Sequence, residues 1–214
     1  MISRAQIAVI RVAGCIAAGG AVWANRGGAE STIPFYDSRE LTPRWTVTEH
    51  RIAPFSLKTQ TGEPVSEKDL AGRVHVASFI YTRCAMVCPT LVSSLKKVRD
   101  RVIDPNLLIV SYSVTPDIDT PAVLAAFGRE RGIDPARWKL VTGDRDVIYA
   151  LARDSYFASD ERLRSSIAGA DSFLHTEQLV LVDQKGRIRG VYNGTQPAEL
   201  DHLVDDARAL LSAG

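Results

Sequence analysis

The sequence predicts an α/β domain built on a mixed central sheet covered by helices on both faces, preceded by an apolar N-terminal helix. Three observations predict it. Two β-rich apolar runs, residues 74–81 and 107–114, suit buried strands, and each is followed by a segment with helical spacing. Strand–helix–strand crossovers of this kind require parallel neighbours. Turn signals stand near both ends of the regular region, Thr61-Gly62 and Gln184-Lys185-Gly186, and hairpins add antiparallel strands.

The elements follow in order. Residues 55–57 and 63–65 flank the first turn. After the strand at 74–81, residues 89–102 place Leu91, Leu95, Val98 and Val102 on one helical face. The second buried strand ends near 114, and Thr120-Pro121 supplies an N-cap and a first-position proline for a helix to about 131. A short strand at 138–141 and a helix at 144–157 come next, while 158–174 is less regular. Residues 179–183 and 188–192 form the closing strand pair. The last segment, 197–212, is amphipathic, with Leu200, Leu203, Val204, Ala207, Leu210 and Leu211 on one side. This is a thioredoxin-like three-layer layout.

At 214 residues the chain is long enough for one domain with a substantial core, assigned here to 52–214. Lys and Arg number 26 against 25 Asp and Glu, with no basic stripe, so nucleic acid is not an expected partner. Residues 5–24 are almost all apolar or small, between Arg4 and Arg26, and are about as long as a membrane-spanning helix. Segment 1–26 is therefore read as a membrane anchor or signal segment. Three forms stay open: an uncleaved anchor, a signal cleaved near Ala24, or a lipoprotein signal with the lipid on Cys15. Residues 27–51, rich in Gly, Ser, Thr, Pro and charge, read as an extended tether that partly packs on the domain. The domain is expected outside the cytoplasm.

Of three cysteines, Cys15 lies in the apolar segment, which leaves Cys84 and Cys88 for the folded part. One close pair is not a disulfide framework; it signals redox chemistry or metal binding. Both sit between a strand and a helix, at Tyr81-Thr82-Arg83-Cys84-Ala85-Met86-Val87-Cys88-Pro89. Pro89 is expected to open the helix and to push Cys88 out of helical geometry. A helix N-terminus favours the Cys88 thiolate. The Cys-x3-Cys spacing, the lack of a preceding tryptophan and the absence of proline between Pro135 and Pro197 weigh against thioredoxin-type redox catalysis, which stays the main rival. His175 stands ahead of the final hairpin, where it would face the cysteine loop. Two thiolates and one imidazole suit Cu(I), whereas zinc wants a fourth ligand or a bound water.

Phe79-Ile80-Tyr81-Thr82-Arg83-Cys84-x3-Cys88-Pro89, then Ser113-Val114-Thr115-Pro116-Asp117-x-Asp119-Thr120-Pro121, then His175 ahead of Leu179-Val180-Leu181-Val182-Asp183, resembles the Sco/SenC family. The similarity runs from about Phe35 to the end of the chain. The resemblance implies a membrane-tethered copper-binding assembly protein for cytochrome c oxidase, with Cys84, Cys88 and His175 as the metal ligands. It implies Cu(I) as the bound metal, with Cu(II) left open. The implied partners are the copper-bearing oxidase subunit, the membrane, and another copper chaperone or a thiol reductase as donor. Two departures stand out: Ala85 where the family often has proline, and Thr115 where it has an acidic residue.

The rival reading is an extracytoplasmic thiol–disulfide reductase for the oxidase cysteines, with Cys84 and Cys88 as the redox-active pair. A peroxiredoxin fits poorly, because no proline lies ahead of Cys84 in the required place. Asp117 and Asp119 lie on the cysteine rim, where they bind a partner, tune the site or simply belong to the helix cap. Met86 is an auxiliary soft ligand or a flexible apolar contact. Arg83 reads as an exposed loop residue, His75 and His202 carry no role, and His50 in the tether stays unassigned.

Overall fold

The computed structural model describes residues 33–83, 87–158 and 177–213. Seven strands form one mixed sheet: β1 (Ser56–Thr59), β2 (Pro64–Ser66), β3 (Val74–Ile80), β4 (Leu107–Ser113), β5 (Trp138–Thr142), β6 (Gln178–Val182) and β7 (Ile188–Asn193). Their order across the sheet is β2-β1-β5-β4-β3-β6-β7. The two crossovers make β3, β4 and β5 parallel, with β3 and β4 in register from Val74–Leu107 to Ile80–Ser113. Both hairpins are antiparallel, and each docks antiparallel on the parallel core, through β1–β5 and β3–β6. The thioredoxin-like architecture expected from the strand order is the one observed.

Side chains alternate across β3 and divide the core into two layers. Val74, Val76 and Ile80 join Leu91, Leu95 and Val98 of α1 (Val87–Arg101) and Leu203, Val204 and Ala207 of a C-terminal helix. Ala77 and Phe79 face the other way, into a layer with Tyr112, Ile148 and Tyr156. α2 (Pro121–Glu130) is capped by Thr120, whose hydroxyl accepts from Val123 N at 3.4 Å. α3 (Arg145–Ala150) is capped by Asp144, which accepts from Val147 N at 3.0 Å. The chain ends in α4 (Pro197–Ser212), as its apolar stripe predicts.

Two helix boundaries differ from expectation. α1 starts at Val87, so Cys88 lies inside its first turn rather than ahead of the helix. Pro89 is then the third helical residue, where its missing N–H is one of the donors without an intrahelical partner, so the ring is tolerated there. The helix expected over 144–157 stops at Ala150 and widens into a π turn, Leu151–Ser155. Phe157 beyond it adopts φ +52°, a left-handed conformation that ends regular structure.

Residues 33–51, assigned to the tether, pack on the domain. Tyr36 bridges Ile188 at the start of edge strand β7, and Phe35 pairs with Arg44. Arg189 donates to Ile33 O at 2.6 Å and Pro34 O at 3.1 Å, and its guanidinium lies 4.0 Å from the Phe35 ring. Asp183 holds both Arg187, at 2.7 Å, and Arg189, at 3.3 Å, in a buried triad. Covering an exposed edge with such a strap blunts its tendency to pair with other chains. His50 donates to Ser155 O at 2.8 Å and stacks on Phe157, while Arg39 pairs with Asp154, so the strap also covers the π turn. The apolar segment 1–26 lies outside the described residues, and no helix among the described residues is long and apolar enough to cross a membrane.

His75, given no role by its sequence position, is buried in β3, with Nε2 3.3 Å from the Tyr156 hydroxyl, which is 2.9 Å from that of Tyr112. Burial holds its pKa down to about 4 from 6.5, partly opposed by the charge of Asp183. The unfolded chain therefore binds this proton near pH 6.5 and the folded chain only near 4. Stability from this group is complete above pH 6.5 and is lost as pH falls between those values, by roughly 3 kcal/mol in full. Urea unfolding of wild type and His75→Gln at pH 7.5 and 4.5 should show the steeper loss in wild type. In the triad, Asp183→Asn leaves two buried guanidiniums without their carboxylate, and the same measurement should show a loss of about 3 kcal/mol or more.

Candidate metal centre

The carboxyl end of β3 carries the site. Strand pairing stops at Ile80, whose carbonyl accepts from Val114 N at 2.9 Å, and Tyr81-Thr82-Arg83 then leads into the cysteine loop. Thr82 is held by Asp119. The Thr82 hydroxyl donates to Asp119 Oδ1 at 2.5 Å and the Thr82 N–H to Oδ2 at 3.1 Å. Oδ2 also accepts from the hydroxyls of Ser113, at 2.6 Å, and Thr115, at 3.0 Å. Asp119 is 0% exposed, so its charge is balanced by these four donors rather than by water.

Asp117 and Asp119 thus part company. Asp117 points to solvent and meets Arg145 at 3.4 Å on the rim, whereas Asp119 is interior and ties the end of β3 to the end of β4. Of the two acids placed on the rim, Asp119 is structural, joining Thr82 to Ser113 and Thr115. The signal was present in the sequence as three hydroxyl residues, Thr82, Ser113 and Thr115, at the ends of adjacent strands beside an acid.

Cys88 sits in the first turn of α1, 6% exposed, in the apolar layer that includes Leu91 and Val92. Arg83 is exposed, as expected for that loop. Cys84, Ala85, Met86, His175 and Cys15 lie outside the described residues. Among the described residues, no three His, Cys, Asp or Glu side chains gather closely enough to hold a metal ion.

The described chain does bring the entry to β6 against α1. Glu177, two residues past His175, accepts from Gly194 N at 2.7 Å, and its carboxylate accepts from Asn193 Nδ2 and Thr195 Oγ1. Gly194 is packed so tightly that an added Cβ would meet Leu91 Cδ2 at 2.5 Å, Leu179 Cγ at 2.9 Å and the Glu177 carbonyl at 3.1 Å. Leu91 is one helical turn beyond Cys88, on the same side of α1. Residue 177, at the root of the segment carrying His175, is therefore fixed over the turn after Cys88.

Such a domain, a parallel three-strand core flanked by two antiparallel hairpins and covered by helices, is a member of the thioredoxin-like class. Residues 45–212 match the SCO1/SenC family, and the chain belongs to that family. It is similar to a SCO1/SenC family lipoprotein from Bacillus anthracis, with 27% identity, a TM-score of 0.65, and 76% of this chain and 95% of that one covered. It is also similar to BsSco, described as a member of the Sco family of cytochrome c oxidase assembly proteins with a disulfide switch. That match has 26% identity, a TM-score of 0.64, and covers 76% of this chain and 94% of the other. Bradyrhizobium japonicum ScoI, solved with copper bound, matches at 26% identity and a TM-score of 0.58, over 74% and 98% of the two chains.

The packing at Gly194 makes a direct prediction. Gly194→Ala should cost about 1–3 kcal/mol in urea unfolding, because both leucines and a backbone carbonyl stand in the way of the methyl group.

Proposed function

We propose that this chain is a copper carrier that holds Cu(I) between Cys84, Cys88 and His175 and delivers it to the binuclear copper site of cytochrome c oxidase during assembly. The observation that supports it most is the convergence of two described ends. Antiparallel pairing of β3 with β6 sets residue 83, which precedes Cys84, and residue 177, which follows His175, at the same end of the sheet. Gly194 and Leu91 then hold residue 177 over the first turns of α1, where Cys88 stands.

The donor set fits the cargo. Two thiolates and an imidazole are soft and borderline ligands suited to Cu(I), and a three-ligand site leaves room for an incoming thiolate to attack before any ligand leaves. Cys88 stands in the first turn of α1, the end of a helix whose dipole suits an anionic ligand. The copper found in the B. japonicum relative supports the choice of metal. In this reading segment 1–26 attaches the chain to a membrane, as the lipoprotein nature of the B. anthracis relative supports, with 27–51 as tether and 52–214 as the copper domain outside the cytoplasm. The partners are the copper-bearing oxidase subunit as acceptor and another copper chaperone or a thiol reductase as donor.

The disulfide switch of BsSco favours a second reading, in which Cys84 and Cys88 exchange dithiol for disulfide to keep the oxidase cysteines reduced. Anaerobic Cu(I) titration of the reduced full chain separates the two. The carrier reading expects one tight equivalent, weakened at least about tenfold by each of Cys84→Ser, Cys88→Ser and His175→Ala. Absence of stoichiometric copper, together with a readily cycled Cys84–Cys88 disulfide in wild type and His175→Ala alike, would replace it with the reductase.

A further inference from the structure

We propose that Asp119 is the positioning residue of the cysteine loop, acting through Thr82. The inference rests on the copper-carrier reading for its consequence, though not for its geometry. Asp119 is fully buried, which removes it as a contact for a partner or for diffusible metal. Its two oxygens divide their work. Ser113 and Thr115 bolt Oδ2 to the end of β4, and the Asp119 N–H donates to Thr115 O at 2.8 Å, so the carboxylate is fixed to the sheet before it touches the loop. What remains, all of Oδ1 and a share of Oδ2, goes to the hydroxyl and the N–H of Thr82. Thr82, which supplies two of the four donors, is the only one of the three donor residues that lies on the chain leading to Cys84, two residues ahead of it.

A bidentate hold on one residue fixes both its side chain and its backbone. The chain therefore enters the loop in a set direction, while Cys88 is set independently by α1. In this proposal the separation of the two sulfurs follows from the Thr82–Asp119 clamp on one side and α1 on the other. A thiol pair held in this way spends less of its binding free energy on ordering when it takes a metal. Ser113 also accepts from Thr115 N at 3.1 Å, so the clamp is braced on the side away from the loop.

Thr82→Val tests this, because it removes the hydroxyl while keeping the N–H and the shape, and Thr82→Ser restores the donor. Three quantities are measured on the full chain: Cu(I) affinity by competition with a chromophoric chelator, the ratio of Cys84 to Cys88 alkylation rates by iodoacetamide without copper, and the urea midpoint. Thr82→Val should weaken Cu(I) binding about tenfold and change the alkylation ratio in the folded chain, with a midpoint lowered by the loss of one donor to a buried carboxylate, and Thr82→Ser should return all three towards wild type. Asp119→Asn should act in the same direction and more strongly; should it not fold, the two Thr82 variants decide. Unchanged affinity and alkylation ratio in Thr82→Val would overturn the proposal. So would losses that track the urea midpoint and are not rescued by serine. If wild type binds no copper, the carrier reading fails while the alkylation ratio still decides whether the clamp sets the loop.

Discussion

The central constraint is the position of β3, which pairs parallel with β4 on one side and antiparallel with β6 on the other. Parallel pairing obliges the chain to cross over through α1, so the end of β3 must turn sharply into a helix. Antiparallel pairing brings β6 in from the opposite direction, so its first residue arrives at the end that β3 has just left. A strand buried on both faces has no freedom to slip, because a shift by one residue would carry every side chain to the wrong layer. The meeting of the end of β3 with the entry to β6 is therefore a consequence of core packing.

Two buried carboxylates fasten the two poles of that core. At the cysteine pole, Asp119 gathers Thr82, Ser113 and Thr115 around one charge. At the other pole, Asp183 gathers Arg187 and Arg189, and Arg189 reaches on to the carbonyls of Ile33 and Pro34. The first fixes where the site loop begins, and the second fixes where the strap from the N-terminal segment joins the domain. Both put a charge where burial would be costly without full hydrogen bonding, and both supply that bonding. The strap joins at Ile188, which lies level with the start of β3 across β6, so the strap junction and the end of β3 that leads to Cys84 are at opposite ends of the sheet.

Much of this was legible in the sequence because the buried strands are long and apolar and the helix caps are chemically explicit. Thr120-Pro121 and Asp144 start helices where their residue types require. α1 begins two residues before the proline expected to open it, because the first turn asks for no donor from Pro89. The π turn after Ala150 is invisible, since a change of hydrogen-bond register leaves no periodic mark in five residues. The burial of Asp119 is illegible for a different reason. Sequence places it beside Asp117 on a rim, and only three-dimensional closure of Thr82 against Ser113 and Thr115 turns one acid inward. His75, too, gives no sign of its burial beyond the company of Val74 and Val76.

The central claim is that two cysteines and one histidine meet in a single Cu(I) site. X-ray absorption at the copper edge of the anaerobically loaded full chain tests it most directly. The account predicts a three-coordinate Cu(I) shell of two sulfurs and one nitrogen, with the nitrogen lost in His175→Ala. A shell of sulfur alone in wild type, or a nitrogen that persists in His175→Ala, would contradict it.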